Sequence, residues 1–597
     1  VTDEYPTRRA LREITAAPRR RIRPWGWAVI GVGALILASL VWVGVRALIA
    51  KTELESALPL VSVLKDDLKS ADLKGALAVV DTVADKTAVA RSMTSDPVWR
   101  VYEAIPFLGR NLTVVRELAE VVDDIAQDVM VPVAGLGDTL DIEALKPVDG
   151  RLDLSIFEDA APVISDARTA LDSSTERVTA MDASGTLGPV ADAHQELADM
   201  LNGLAPLMAD ADDLMAALPQ LLGSEGQRNY LVVFQNNSEA RALGGHAGSW
   251  VMVTVDDGKI DFAEQLTVHA LKTGGQPVVE LAADQLAIWP GAGIDPSNVT
   301  MVPHLDLSAE TAAAFWKTKT GVQPDAVVFI DPVALGYLLK ATGPIELPTG
   351  DVIDDTNASS FLLNEVYLKY RTDAEQDPIF SSLAKLLFGA ILKGDFEPAV
   401  LVDAVQKAGK THRLLAWFFD EDERVATEIL SLGLDELTFT DKAAEFGIYI
   451  TDNLGSKMTY YVDAQVQLGQ AVCSTGELQY QVKVTLTNTV TPELAGTLPI
   501  HVANRAGGAL RVLVTLYGPP GSEFVRPLAV GWDPTFVTLN GTDGLNPAMA
   551  QRIILNPGES ITGTYVLTAP DQVERALSAY VTPLARATPI EEFEFTC

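Results

Sequence analysis

The residues best equipped for chemistry lie in one turn. Gln235-Asn236-Asn237-Ser238-Glu239-Ala240-Arg241 packs amides, a carboxylate and a guanidinium together, and Gly244-Gly245 follows. A guanidinium grips phosphate oxygens in pairs. A glycine pair lets backbone N–H groups approach an anion. Further along stand Asp306, Arg371, Asp373 and Asp377. Carboxylates of this kind can hold Mg²⁺. The candidate anion- or ligand-binding set is therefore Gln235, Asn236, Asn237, Glu239, Arg241, Gly244, Gly245 and Arg371, with Asp306 and Asp377 as candidate metal ligands. Such a set suits a phosphate or metal–pyrophosphate site. The same residues also have a structural reading. Asn and Gln tie loops by bonding backbone groups, and Glu239 and Arg241 can simply pair with each other.

Other chemistries lack their residues. No Gly-x-Ser-x-Gly elbow and no Gly-rich loop ending in Gly-Lys-Ser/Thr occurs. His246, His269 and His304 are scattered, without zinc-ligand spacing. The two cysteines, Cys473 and Cys597, both fall in the last segment, where His501 is the only histidine. They read as a disulfide in an oxidising compartment, or as two free thiols. No residue is assigned a catalytic role.

The elements that position the turn are two strands. Tyr230 to Phe234 is apolar and β-branched, and Ser249 to Val255 is closed by Asp257-Gly258. Residues 226–450 continue as a mixed α/β domain. A helix begins near Ser308 as N-cap, DAVVFID (325–331) is a buried strand, and Pro332 opens the next helix. Further helices are expected at 357–370, 379–394 and 412–433. Residues 455–597 alternate apolar and polar in short runs, as a β-sandwich of immunoglobulin-like size does. Residues 51–225 carry apolar spacings of three and four and read as a helical stalk or bundle.

Ahead of the stalk, residues 1–24 form a basic tail with seven arginines, and residues 25–45 contain no charge. A helix of that length spans a hydrocarbon core of about 30 Å. Trp25, Trp27 and Trp42 stand toward its ends, as interfacial indoles do. The positive-inside rule then leaves the N-terminus cytoplasmic and residues 51–597 extracytoplasmic. A cleaved signal peptide is the rival reading, but the run is long and no small-x-small site follows it. Net charge is −35, from 45 basic and 80 acidic residues, which argues against a nucleic-acid partner.

Several segments resemble a bacterial envelope family common in high-GC Gram-positives, catalogued only as a domain of unknown function, number four thousand and twelve. They are IPFLGRNL (105–112), YLVVFQNNSEARALGGHAGSW (230–250), DDGKI (256–260), DAVVFIDPVALGYLLKATGPIELPTG (325–350) and GSKMTYYV (455–462). His246 and Ala326 depart from that pattern, which has an aromatic residue and a glycine there. A remoter resemblance is to the LytR-CpsA-Psr family. Its members transfer glycopolymers from polyprenyl-pyrophosphate carriers to the wall, using Mg²⁺ with Arg and Asp residues. That resemblance implies Arg241 and Arg371 on pyrophosphate, and Asp306 and Asp377 on Mg²⁺ or as base. Leu243 and Leu305 stand where that family has an Asp and an Arg, and its arginines are missing from Ile379 to Ala384.

The sequence thus supports an extracytoplasmic, single-pass envelope protein. It would bind an envelope polymer or its polyprenyl-pyrophosphate carrier in a scaffolding role. The alternative is a Mg²⁺-dependent phosphotransferase resembling the LytR-CpsA-Psr enzymes.

Overall fold

The computed structural model describes residues 24–69, 73–139, 146–434, 437–525 and 537–597. The chain divides into two compact units, Val1–Asp138 with Asp166–Leu207, and Thr139–Ser165 with Met208–Cys597. The basic tail expected at residues 1–24 falls almost wholly outside the described residues.

The first unit is helical. Pro24 starts α1, Pro24–Lys69, with the fixed φ suited to a first helical position. Within it, Trp27–Ala57 is long and apolar enough to cross a membrane, as an anchor or a signal sequence is. Helix α2, Leu73–Thr94, packs along α1. Asp96 accepts a hydrogen bond from Val98 N at 2.8 Å and so caps α3, Pro97–Glu103. Helix α4, Leu108–Ile125, runs through a π-helical turn into α5, Val131–Thr139. Helices α6, Ser155–Ala180, and α7, Gly188–Leu221, complete the helical region.

The second unit opens with the hairpin of β1, Arg228–Arg241, and β2, Gly244–Asp256. With β3, Lys259–Thr267, and β4, Ala326–Ile330, they belong to a five-stranded sheet. Its order is β3-β2-β1-β4 and then the edge strand Leu414–Phe418. Only β1 and β4 run parallel, so the sheet is mixed. Alternation along the strands separates its two faces. Leu231, Val233 and Trp250 pack with Ala309, Phe315 and Trp316 of one helix, Leu305–Thr320. On the other face, Val251, Val253 and Val255 meet Ala384 of another helix, Asp373–Leu392.

Two sequence expectations are corrected here. The segment 412–433 is not one helix, because Leu414–Phe418 is the edge strand beside β4. A short apolar run reads equally as buried helix or buried strand, and the sheet edge decides it. Ser308 is not an N-cap. It lies one turn inside its helix, buried, with its hydroxyl donated to the Val302 carbonyl at 3.2 Å.

The C-terminal region is strand-rich. Two five-stranded sheets share one core, in which Phe446, Ile448 and Val512 of one meet Tyr480, Val482 and Val466 of the other. The Phe446 and Tyr480 rings meet edge to face, 5.4 Å apart. Cys473 and Cys597 form a disulfide.

Candidate functional site

The polar turn lies inside the protein. Register shifts after Phe234 and Asn236 bulge β1, so consecutive side chains leave the simple in–out alternation. Gln235 turns back, and its Oε1 accepts the Gly245 N–H at 2.7 Å. Asn236 accepts the Ser238 N–H at 3.1 Å and hydroxyl at 2.6 Å, and donates to the Tyr367 hydroxyl at 2.5 Å. Asn237 is fully buried and donates to Asp331 at 2.9 Å and to the Pro583 carbonyl at 2.7 Å.

The two charged residues behave likewise. Arg241 is only 7% exposed. Its guanidinium donates to Asn298 at 3.2 Å and to the Ala240 carbonyl at 2.9 Å. Glu239 pairs with Lys457, whose ammonium also lies 4.5 Å over the Tyr367 ring. Burial pushes the Glu239 carboxyl up, but Lys457, with His246 and Arg241, overcomes this and holds it down at about 2. Burial, helped by Arg241 and Lys457, lowers the His246 imidazole to about 4. The cluster is thus an internal ion-pair network, with His246 neutral at pH 7.

Three hydroxyls fasten the turn. Thr459 Oγ1 accepts the Ala240 N–H at 2.9 Å and donates to the Asn237 carbonyl at 3.0 Å. Thr300 Oγ1 donates to the Gly245 carbonyl at 2.7 Å, and Thr582 Oγ1 to the Ala242 carbonyl at 3.1 Å. The glycines allow close approach of the two strands. A Cβ on Gly245 would lie 2.2 Å from the Asn236 carbonyl carbon, and one on Gly244 would lie 2.3 Å from Gln235 Oε1. Gly244 also has φ +135°, which disfavours any side chain.

Beneath the turn lies a second network that sequence reasoning missed. Asp331 caps the helix Pro332–Thr342 through Val333 N at 2.9 Å and Ala334 N at 2.8 Å. Its other oxygen accepts from Arg413 at 2.8 Å, and Arg413 also donates to the Leu584 carbonyl at 2.7 Å. Both side chains are buried. The Asp-Pro pair did signal a cap, but nothing local signals Arg413 or Lys457 as partners.

The remaining candidates lie on other elements. Asp306 is exposed in the first turn of its helix and accepts the Leu307 N–H at 2.7 Å. Arg371 is exposed, and its N–H donates to Glu375 at 2.9 Å in the cap of the helix Asp373–Leu392. Asp377 is exposed on that same helix. The described contacts bring together Gln235, Asn236, Asn237, Glu239, Arg241, Gly244 and Gly245, and join neither Asp306 nor Arg371 to them. Among the described residues, no group of three or more His, Cys, Asp or Glu side chains is placed to hold a metal ion. An open surface cavity of about 510 Å³, lined by Asp351, Asn357, Phe361, Glu365 and Lys369 among others, contains none of the candidate residues.

Residues 225–367 match the model of the family described as "Protein of unknown function (DUF4012)", the family that the turn resembles. The match covers both strands of the hairpin, Asp331 with its helix, and Tyr367. No curated protein and no solved structure matches the chain.

Proposed function

We propose that this chain is a single-pass, membrane-anchored protein of the cell envelope, N-terminus inside, with its bulk extracytoplasmic. In this reading α1 is the anchor. The strand-rich C-terminal region is an immunoglobulin-like interaction module. The polar turn is a clasp, not a pyrophosphate site. It fixes the mixed α/β domain to the C-terminal strands, and any envelope polymer or polyprenyl carrier binds elsewhere on this scaffold.

One observation carries the reading. Arg241, the residue on which a pyrophosphate site would depend, is buried and spends its Nε and Nη1 donors on Asn298 and on backbone carbonyls. Three of its five N–H groups are engaged in this way, so a paired grip on phosphate would have to come from Nη2 alone. Lys457, Thr459, Thr582 and Pro583 all come from the C-terminal region, and each contacts the turn or its flank.

The test is Arg241→Ala in the full chain. The clasp reading expects a lower melting temperature and unchanged retention of polyprenyl phosphate or wall polymer. A well-folded variant with wild-type melting that had lost polyprenyl-pyrophosphate binding would instead favour the LytR-CpsA-Psr-like phosphotransferase.

A further inference from the structure

The first unit has one corner built the wrong way round for water. Helix α3 ends at Glu103 and α4 begins at Leu108, with Ala104-Ile105-Pro106-Phe107 between them. Phe107 is 93% exposed and takes a left-handed backbone, φ +67°. Val101 and Ile105 are exposed as well, and so is Leu108. Leu187 joins them, because its N–H donates to Asn111 Oδ1 at 2.7 Å while Asn111 Nδ2 donates to the Phe107 carbonyl at 2.9 Å. Five large apolar side chains, on the α3–α4 corner and on the loop before α7, therefore face outward.

Several polar groups of the same corner turn inward and find partners, while Arg110 pairs with Asp182 at the surface. Trp99 Nε1 donates to the Leu112 carbonyl at 3.0 Å. The Gly109 N–H donates to the Ile105 carbonyl at 2.7 Å. Arg116 is nearly buried, ringed by Glu103 at 2.7 Å, Glu120 at 3.0 Å and Glu117 at 3.3 Å. Apolar side chains outside with polar groups satisfied inside is the arrangement that lipid requires.

The position of the corner supplies the second observation. Arg46 is the first charged residue after the apolar run of α1, and it reaches Asp96 at 3.4 Å just before α3 begins. From there α3 runs back along α1 toward its N-terminus. Trp99 and Tyr102 pack with Val43, and the Tyr102 hydroxyl meets Ser39 Oγ at 2.6 Å and the Ile36 carbonyl at 3.3 Å. At the rise of an α-helix, Ser39 and Ile36 lie about 10–15 Å below Arg46. Half of a bilayer's hydrocarbon core is about 15 Å. The corner thus lies beside the part of α1 that would be in lipid.

We propose that the α3–α4 corner is a membrane-inserting wedge. Val101, Ile105, Phe107, Leu108 and Leu187 occupy the acyl region of the outer leaflet beside α1. Arg100, paired with Glu120, and Arg110, paired with Asp182, carry their charges at the headgroups on long stems, as such residues do at interfaces. The anchor is then α1 plus a docked loop, which fixes how the helical unit leaves the membrane. This inference rests on the reading of α1 as a membrane span.

The test uses the full chain in liposomes of phosphatidylcholine and phosphatidylglycerol. The two native cysteines are already bonded to each other. Single spin labels go on Phe107→Cys, on Leu187→Cys, on Leu37→Cys within the apolar run, and on Thr82→Cys, an exposed polar position of α2 in the same unit. Collision with oxygen and with a water-soluble nickel chelate is then compared at each label. The wedge predicts that labels at 107 and 187 favour oxygen, as at 37, while the label at 82 favours nickel. Water-like labels at 107 and 187 with a lipid-like label at 37 would overturn the wedge and leave the anchor intact. A water-like label at 37 would overturn the anchor and the wedge together.

Discussion

Asn237 and Asp331 lie 94 residues apart and meet at 2.9 Å, amide to carboxylate, with both side chains buried. Asp331 thereby accepts four hydrogen bonds at once. It caps a helix with one oxygen, and with the other it receives Asn237 and Arg413. The carbonyls of Pro583 and Leu584 complete the far side of the same network. The strands β1 and β4, the edge strand Leu414–Phe418 and the segment that follows the strand Ala576–Val581 are thus linked through one carboxylate.

Removing one partner should leave a buried charge uncompensated. Arg413→Ala is expected to cost about 3–5 kcal/mol of unfolding free energy. Asp331→Ala should cost at least as much, because the helix cap goes as well, itself worth about 1 kcal/mol. The double variant Asp331→Ala/Arg413→Ala should lose less than the sum of the single losses, since neither charge is then stranded. Urea unfolding of the four proteins closes the cycle. Strictly additive losses would sink the coupling.

How much of this was legible beforehand depends on sequence distance. The apolar N-terminal helix, the helical region, the β1–β2 hairpin and the alternating C-terminal strands come from local periodicity, and all of them form. The polar turn was legible as unusual, and its loop-fixing reading was open from the start. What could not be read was its partners. Lys457 lies 218 residues from Glu239, and Arg413 lies 82 residues from Asp331. No periodicity reports contacts at such separations. The edge strand Leu414–Phe418 was missed for a related reason: its identity depends on pairing with β4, not on its own pattern.

Gly245 should tolerate no side chain. A Cβ there meets backbone, 2.2 Å from the Asn236 carbon and 2.6 Å from the Asn237 nitrogen, so no rotamer change relieves it. Gly245→Ala is expected to cost about 1–3 kcal/mol or more through overpacking. Gly248, in the same strand, has only His246 Nδ1 near, at 3.7 Å. Gly248→Ala should therefore stay within about 1 kcal/mol of wild type. Melting of the two variants side by side checks the contrast, and equal effects would contradict it.

The disulfide should matter chiefly at the chain end. It closes a loop of 124 residues, and loss of a native bridge of this kind typically costs about 2–5 kcal/mol. The strand Ile590–Glu592 pairs on one side only, with Val462–Val472. Cys473→Ser/Cys597→Ser should lower the melting temperature and speed amide exchange at 590–593. It should leave the β1–β2 hairpin amides at their wild-type rates. Exchange that accelerates uniformly over the hairpin as well would refute the local account.

Acid should loosen the protein in two steps, and the sign follows from the direction of each shift. Burial, with the neighbouring cations, depresses the His246 imidazole from 6.5 to about 4, so the unfolded chain binds a proton there before the folded one does. The stability this confers is complete above pH 6.5 and is lost as pH falls toward 4. Glu239 is held at about 2 against an ordinary 4.5, chiefly by Lys457 working against burial, so its contribution disappears between those values. His412 is also lowered by burial, which Glu445 only partly opposes, and adds to the first step. The melting temperature should thus be flat with respect to these groups just above pH 6.5, fall from there to 4, and fall again below 4.5. In His246→Gln the first step should shrink without vanishing, since His412 still titrates. In Lys457→Met the second step should shrink, because Glu239 loses the cation that holds its carboxyl below the unfolded value. An acid profile of His246→Gln that superimposes on wild type between pH 4 and 6.5 would remove His246 from this account.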